Sequence, residues 1–246
     1  MKFRCACISL LCILLFGFTS AFAQIDAKNW GKNTSGVTLT FHEEPRQTTP
    51  DGTILLYNLI GKGFPPDVPY VLWQWLPDRE PKAVLKGVSF DQRGVLVCSG
   101  KPGFCQGAGP DDPVNIKTTA VAGEMKRMAV ASPDGQIAAF ADAVPFPIEA
   151  TDKGCKLSVV RMSPMAERVV ARATGFSPGE KLTVTTHSGP EGATLNETAD
   201  SSGNWTTVIG TQVKGQTQGK ASITLTGASC SVSVAFDWGI GSIHPL

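Results

Sequence analysis

The side chains of this chain that could carry out chemistry are few and far apart. Its three histidines, His42, His187 and His244, stand apart from one another, and we predict that they lie on exposed strands or in the C-terminal tail. Asp111 and Asp112 form an acidic pair between prolines, and loop carboxylates can hold calcium. Two adjacent acids without the D-x-D spacing of a calcium-binding loop are more typical of a solvated turn. Phosphate-binding loops and dinucleotide fingerprints are absent, so we predict no catalysis, no metal and no cofactor.

The first residues have the pattern of an export signal. Lys2 and Arg4 precede an apolar run, and Ala21-Phe22-Ala23 stands before Gln24. A basic start, a short apolar segment and small residues at −3 and −1 are typical of a cleavable secretory signal peptide. We therefore predict that residues 1–23 are removed and that the mature chain is secreted, periplasmic or associated with the cell surface. No later stretch is apolar for long enough to predict a membrane span.

The cysteines outside the predicted signal are even in number, which in an exported chain indicates disulfides. They are Cys98, Cys105, Cys155 and Cys230. Four cysteines allow three pairings, and proximity in sequence favours Cys98 with Cys105, which leaves Cys155 for Cys230. A zinc site is a poor alternative, because the chain has neither a C-x-x-C motif nor a Cys/His cluster.

An aromatic segment is the clearest candidate for binding. In Tyr70–Trp75, Trp73 and Trp75 share one face of a strand, and Tyr70 faces the other way. One register buries the tryptophans in the core, and the opposite register turns them outward, where they could contact a sugar or a protein. We favour burial. A contiguous exposed patch of Trp73, Trp75 and Phe104 would instead predict a binding face.

The loop of residues 98–113 is a second candidate. It is rich in Gly and Pro, a Cys98–Cys105 disulfide would staple it, and it is longer than a hairpin needs. Long ordered loops at the ends of β-sandwiches often carry recognition. A tolerated surface insertion is the alternative.

The elements that would position these residues form a repeat. Gly61-Lys62-Gly63-Phe64 resembles Ala173-Thr174-Gly175-Phe176, 112 residues later, and Asp91-Gln92-Arg93-Gly94 resembles Asp200-Ser201-Ser202-Gly203, 109 residues later. A third marker aligns Ala139-Phe140 with Ala235-Phe236 at an offset of 96. Because the offset falls by 13 before this marker, we predict that the first copy contains an insertion, namely the 98–113 loop.

Each copy reads as a series of short strands rich in Thr and Val. Turn residues separate them every 8–12 positions or so, and no window has the period of an amphipathic helix. Asp91, Asp134 and Asp200 are expected to bond nearby backbone amides in these turns. Strands of this length and spacing predict antiparallel β-sandwiches.

The residues of the second copy also resemble a known family. Gly175–Glu180 (Gly-Phe-Ser-Pro-Gly-Glu), a Thr/Val strand and Ala199–Trp205 (Ala-Asp-Ser-Ser-Gly-Asn-Trp) resemble bacterial immunoglobulin-like repeats of exported and surface proteins. The resemblance covers nearly all of residues 152–239 and, more weakly, 36–148. It implies a spacer, an adhesive stalk or a ligand-binding module, and it carries over no catalytic residue.

The expected architecture is therefore all-β, with two tandem immunoglobulin-like antiparallel β-sandwiches after the signal peptide. The predicted divisions are a signal at 1–23, an N-terminal segment at 24–35, a first domain at 36–148, a second at 152–239 and a C-terminal tail at 240–246.

Composition and charge agree with a non-catalytic role. Lys2 and Arg4 leave with the signal, which turns the formal charge of +1 into about −1, so no attraction to nucleic acid is expected. The sequence predicts an exported binding or cell-surface interaction protein whose partner is an unknown protein or glycan. The alternatives are a purely structural spacer and, less favoured, a small enzyme or inhibitor that uses the 98–113 loop.

Overall fold

The computed structural model describes residues 25–66, 68–76, 78–98 and 112–243. The predicted signal peptide lies outside these ranges. Within them, every regular element is a β-strand except a short 3-10 turn at Ile240–Ser242. The strands form several antiparallel sheets, none of which closes on itself, so the prediction of an all-β chain is confirmed. No helix in these ranges is long and apolar enough to cross a membrane.

The strands of the N-terminal half, residues 25–147, form two sheets. Their bounds are β1 (Thr38–Glu43), β2 (Gln47–Thr49), β3 (Gly52–Lys62), β4 (Tyr70–Gln74), β5 (Lys82–Phe90), β6 (Leu96–Cys98), β7 (Ile116–Thr119), β8 (Lys126–Ala131) and β9 (Ala138–Ala143). In the first sheet, β3 pairs with β1 and β2 along one edge and with β7 along the other. The second sheet has the order β6-β5-β4-β8-β9.

Among the described strands, those of the C-terminal half, residues 148–243, pair only with one another. Their bounds are β10 (Ile148–Asp152), β11 (Cys155–Arg161), β12 (Arg168–Thr174), β13 (Lys181–Ser188), β14 (Glu191–Thr198), β15 (Trp205–Gly210), β16 (Gln218–Thr226) and β17 (Ser231–Gly239). One sheet has the order β10-β11-β12-β15, and the other has the order β14-β13-β16-β17.

Both sheets of each half contribute side chains to a shared hydrophobic core. In the C-terminal half, Leu157 and Val169 of the first sheet belong to the same core as Leu182, Ile223 and Trp238 of the second. The alternation is clearest on β17, where every second side chain from Val232 to Trp238 is buried. This period of two is what a strand with one buried face requires. A corresponding core in the N-terminal half includes Leu39, Leu59, Leu72, Val88 and Val130.

The turns predicted to repeat have matching geometry. Asp91 accepts hydrogen bonds at Oδ1 from the amides of Arg93 (2.9 Å) and Val95 (2.8 Å). Asp200 does the same with the amides of Ser202 (2.8 Å) and Asn204 (2.9 Å). The predicted role of these aspartates as turn-forming residues is therefore confirmed, and Asp134 likewise accepts the amide of Gln136.

The third marker of the predicted repeat is wrong in its register. Phe236 points into the core of the C-terminal half, whereas Phe140 lies on the opposite face of β9 and packs outside the core. The inward residues of β9 are Ala139 and Ala141. The offset of 96 therefore aligned an outward residue, Phe140, with an inward one, Phe236. Because side-chain direction alternates along a strand, a shift of one residue would have aligned the two inward faces.

An interrupted strand marks the place of the predicted insertion. In the C-terminal half, β15 runs without a break beside β12. In the N-terminal half, the chain meets β3 at the Ile60–Val95 bridge, leaves it, and meets it again as β7. The Val97–Pro113 bridge joins the two ends of the intervening loop, whose residues 99–111 lie outside the described ranges. The two ends of the predicted insertion are thus held together by this bridge.

Candidate ligand-binding groove

The N-terminal segment covers the outer face of the second sheet of the N-terminal half. Ile25 and the half-buried Trp30 pack with Val71, Trp73 and the outer side chains of β8 and β9. Two polar residues fasten this segment to the edge of β9. The amide of Phe140 donates to Asn33 Oδ1 (3.0 Å), and Ala138 exchanges hydrogen bonds with Thr34.

The two tryptophans of β4 and its end point away from the core that the two sheets share. Tyr70 and Leu72 face that core, so the register is the one that turns Trp73 and Trp75 outward. Trp73 is nevertheless buried, at 8% exposure, because the N-terminal segment lies over it. Trp75 is half-buried, and Phe104 lies outside the described residues. Burial of Trp73 was expected, but its cause is the covering segment and not the core.

A groove of about 500 Å³ opens beside Trp75, where the two halves of the chain meet. We call it the junction groove. Its lining residues are Ala27, Trp30, Trp75, Met125, Arg127, Asp142, Ala143, Val144 and Arg172. Arg172 comes from β12 of the C-terminal half, and the other residues come from the N-terminal half.

Aromatic and charged side chains in the junction groove hold one another in place. The indole rings of Trp30 and Trp75 lie 5.2 Å apart, and Trp30 also packs against Phe140 at 5.1 Å. The guanidinium of Arg127 lies 4.3 Å from the centre of the Trp75 ring, within the range of a cation–π contact. Trp30 Nε1 donates to Asp142 Oδ1 (3.1 Å), and Trp75 Nε1 donates to the carbonyl of Arg79 (2.7 Å).

The groove carries an excess of positive charge. Burial lowers the pKa of Arg127, the charge of Asp142 raises it, and the nearby charge of Arg172 lowers it further. In the part of the chain that the structure describes, neither arginine forms a salt bridge. The arrangement can therefore accept an anionic group while the indoles contact an apolar surface.

A buried arginine also bonds the two halves to each other. Arg161, at the end of β11, donates through Nε to the carbonyl of Ala122 (2.5 Å) and through its amide to the carbonyl of Gly123 (2.9 Å). Its Nη atoms donate to Pro164 O, to Ser242 Oγ and to Ser242 O. The guanidinium of Arg161 is thus hydrogen-bonded both to the 3-10 turn at the start of the predicted tail and to the loop that precedes β8.

The remaining sequence candidates are placed as follows. Cys155 and Cys230 form a disulfide, as predicted. Cys98 is buried, but Cys105 lies outside the described residues, so their pairing stays a prediction. His42 and His187 are exposed on β1 and β13, as predicted, and His244 and Asp111 lie outside the described residues. Among the residues that are described, no group of three or more His, Cys, Asp or Glu side chains could hold a metal.

One motif of the sequence needs its structural context. Gly175-Phe176-Ser177-Pro178-Gly179 spells G-x-S-x-G, which in α/β-hydrolases places a nucleophilic serine between a strand and a helix. Here the segment is a turn between β12 and β13, both of which are strands. The amide of Ser177 donates to the Glu180 carboxylate (2.7 Å), so the segment is a hydrogen-bonded turn where the chain crosses from one sheet to the other.

Sequence reasoning missed four residues of the junction groove, namely Trp30, Arg127, Asp142 and Arg172. Trp30 lies in a segment to which no strand was assigned. Arg127 carried a usable signal, because it alternates with the core residues Met128 and Val130 on β8 and must share the outer face with Trp73. The approach of Arg172 depends on how the halves meet, which no local pattern encodes.

The chain resembles solved structures but matches no known family model or curated sequence. Among solved structures, the chain is similar to a tetra-tandem repeat in the extending region of a large adhesion protein, at 10% identity and a TM-score of 0.26. The match covers 82% of this chain and 49% of that one, so this chain spans about half the length of that structure.

Proposed function

We propose that this chain is an exported, non-catalytic binding protein made of two tandem immunoglobulin-like β-sandwiches, with its ligand site in the junction groove. The fold supports the first part of the proposal. In each half two antiparallel sheets share a core. In the C-terminal half, hairpins link β10 to β11, β11 to β12, β13 to β14 and β16 to β17, while the other connections cross between sheets. Immunoglobulin-like sandwiches are built in this way.

Export is supported by the N-terminal sequence and by the disulfide. Residues 1–23 have the three-part pattern of a signal peptide, and the Cys155–Cys230 bridge joins the start of β11 to the residue before β17. Structural disulfides persist in oxidising compartments and are rare in the cytosol.

The observation that carries the binding role is the junction groove itself. It combines two indoles, one aspartate and two arginines that form no salt bridge with any described residue, in a space of about 500 Å³, which is the size of a small-ligand site. An exposed strand face would offer no such combination. On the equivalent outer face of β13, the side chains are Thr183, Thr185 and His187, of which Thr183 and His187 are exposed.

Photo-crosslinking tests the proposed site. A photoreactive side chain is placed at Ala143, which lines the groove, or at Ala193, which is exposed on β14 and does not line the groove. After illumination with the envelope fraction of the producing cells, we expect one discrete adduct from position 143 and none from position 193. The adduct should disappear when Arg127→Gln and Trp75→Leu are combined with the probe. Adducts that are equal at both positions, or that survive these substitutions, would place the binding surface elsewhere.

A structural spacer is the second candidate, and the Arg161 contacts favour it. Their acceptors lie in the loop before β8, in the turn after β11 and in the C-terminal 3-10 turn, so they fix how the halves are joined. A spacer predicts no discrete adduct at position 143, together with a constant distance between the halves.

A further inference from the structure

Resting on the proposed function, we propose that the ligand of the junction groove is a saccharide that carries a carboxylate, such as a chain of uronic acid residues. The proposal follows from which donors and acceptors of the groove are already used inside the protein.

The arginines supply the site for an anion. Arg127 Nε donates to the thioether of Met125 (2.9 Å), a weak acceptor, and its Nη atoms have no acceptor among the described residues. The side chain of Arg172 is exposed and has no hydrogen-bond partner there. A planar guanidinium in this state matches a carboxylate, with which it can form two parallel hydrogen bonds.

The charge balance of the groove leaves room for one negative group. Arg127 and Arg172 face a single acidic side chain, Asp142, whose Oδ1 already accepts the indole N–H of Trp30. The other oxygen of Asp142 remains as an acceptor. Hydroxyl groups are the donors that a sugar would offer to it, while the indoles of Trp30 and Trp75 would contact the C–H groups of the sugar ring.

An acidic peptide fits the groove less well. An extended peptide gains much of its affinity by pairing its backbone with a free sheet edge. The edge of β9 that leads to Asp142 is already bonded to Asn33 and Thr34 at Ala138 and Phe140. Recognition at this place must therefore come mainly from side chains, which suits a sugar better than a strand.

Titration calorimetry with two matched sugars tests the proposal. The probes are a short oligogalacturonate and its fully methyl-esterified form, which has the same rings without the charges. We expect the acid to bind the full processed chain and the ester to bind at least about tenfold more weakly, because each charge-assisted hydrogen bond that is lost weakens binding by that order. Added salt should weaken the binding of the acid.

Two arginine substitutions on the same strand provide the variant and its control. Arg172→Gln should weaken binding of the oligogalacturonate at least about tenfold. Arg168→Gln should leave it unchanged, since Arg168 lies four residues away on β12, outside the groove, and is also exposed. Both changes are at exposed positions, so neither should prevent folding.

The outcomes separate this inference from the proposed function. Equal binding of acid and ester, equal effects of Arg172→Gln and Arg168→Gln, or equal binding of an acidic peptide of the same charge would each overturn the acidic saccharide. No binding of either sugar would overturn it as well. In all of these cases a position-143 adduct in the crosslinking experiment would still support a ligand at the junction groove, and its loss would refute the proposed function independently.

Discussion

Two glycines show how single residues define the repeated turns. Gly63 and Gly175 each follow a central strand, have φ of +76° and +91°, and lie against the carbonyl oxygens of Gly36 and Gly154 respectively. An added Cβ would collide with that backbone oxygen, and the left-handed conformation is costly for any other residue. The Gly-Phe pairs by which the repeat is recognised in the sequence are therefore positions where the backbone itself passes close to another segment.

Gly175→Ala should destabilise the fold by about 3 kcal/mol, because it adds a steric clash to the cost of a left-handed alanine. Gly179→Ala is the matched control. Its φ is +72° but nothing lies within 4 Å of an added Cβ, so it should cost only about 1 kcal/mol. Urea unfolding of both variants measures the difference. Equal losses of stability in the two variants would show that the clash with the Gly154 carbonyl adds nothing to the cost of the left-handed conformation.

Glu180 joins two turns through its carboxylate. It accepts the amides of Ser177 (2.7 Å) and Ala228 (2.6 Å), and these hydrogen bonds lower its pKa below the ordinary value of 4.5. Because the folded-state pKa is lowered, the ionised group stabilises the fold above pH 4.5, and this contribution is lost as the pH falls through the folded pKa.

Glu180→Gln should therefore lower Tm at pH 7, and the difference from the wild type should shrink as the pH is lowered below 4.5. Thermal melts between pH 7 and pH 3 measure it. Glu191→Gln, an exposed position on β14, serves as the control and should change Tm little at any pH. A Glu180→Gln deficit that stays constant with pH would mean that the ionised form makes no special contribution.

At the scale of elements, the strands that were easy to predict are those with a buried face. The sequence pattern predicts strands at Lys126–Ala131 and Arg168–Thr174, which are the observed bounds of β8 and β12. It predicts a third at Lys181–His187, and β13 ends one residue later, at Ser188. β12 and much of β13 alternate buried and less buried residues, so their sequences carry the period of two. The last four residues of β8 are all buried, because the N-terminal segment packs against its outer face.

Strands without a buried face were missed. Seven of the eight residues of β14 are exposed, since it is an edge strand whose sequence contains Gly, Asn and Glu. Its pairing with β13 depends on the neighbouring strand and not on its own pattern. β10 was missed for another reason: Ile148 and Ala150 pack against the core, but from the sequence this stretch was expected to be a short link between domains.

The cover over Trp73 could not be predicted for a similar reason. At the offset of 112, Trp73 aligns with Thr185 and so points outward, but the cover over that face comes from the N-terminal segment, about forty residues earlier in the chain. Neither the period of β4 nor its resemblance to β13 contains that information.

Trp30→Ala should uncover the outer face of β4. Loss of the indole contacts with Trp75 and Phe140 should expose Trp73 to an aqueous quencher and cost about 2 kcal/mol of stability, less than a fully buried tryptophan would. Acrylamide quenching of Trp30→Ala, compared with the Trp30→Ala, Trp73→Phe double variant, isolates the signal of Trp73. If Trp73 stays shielded, Ile25 and the rest of the segment provide the cover without Trp30.

On the scale of the whole molecule, the junction between the halves is held by a buried cation. Arg161 is only 3% exposed, and burial lowers its pKa, while Glu124 and Asp237 raise it from a distance. Its acceptors are carbonyl and hydroxyl oxygens, so the guanidinium is hydrogen-bonded without a salt bridge in the described part of the chain. Such a group fixes geometry because five donors point in set directions.

This junction also determines whether the proposed ligand site exists. Arg172 reaches the junction groove only if the C-terminal half keeps its orientation, whereas the other lining residues belong to the N-terminal half. A looser junction would separate Arg172 from Arg127 and Asp142. Binding at the groove and the angle between the halves should therefore change together.

Arg161→Ala tests this coupling. It leaves the carbonyl of Ala122 and the groups of Ser242 without their donor, and we expect a loss of about 3 kcal/mol in stability together with a larger radius of gyration in X-ray scattering. Arg161→Lys should restore the positive charge but not the angle between the two halves, since an ammonium cannot reproduce the directed donors of a guanidinium. Arg168→Ala, exposed in the same half, is the control and should scatter like the wild type. An unchanged radius of gyration in Arg161→Ala would mean that the backbone bond from Arg161 to Gly123 and the pairing of β10 with β11 hold the halves by themselves.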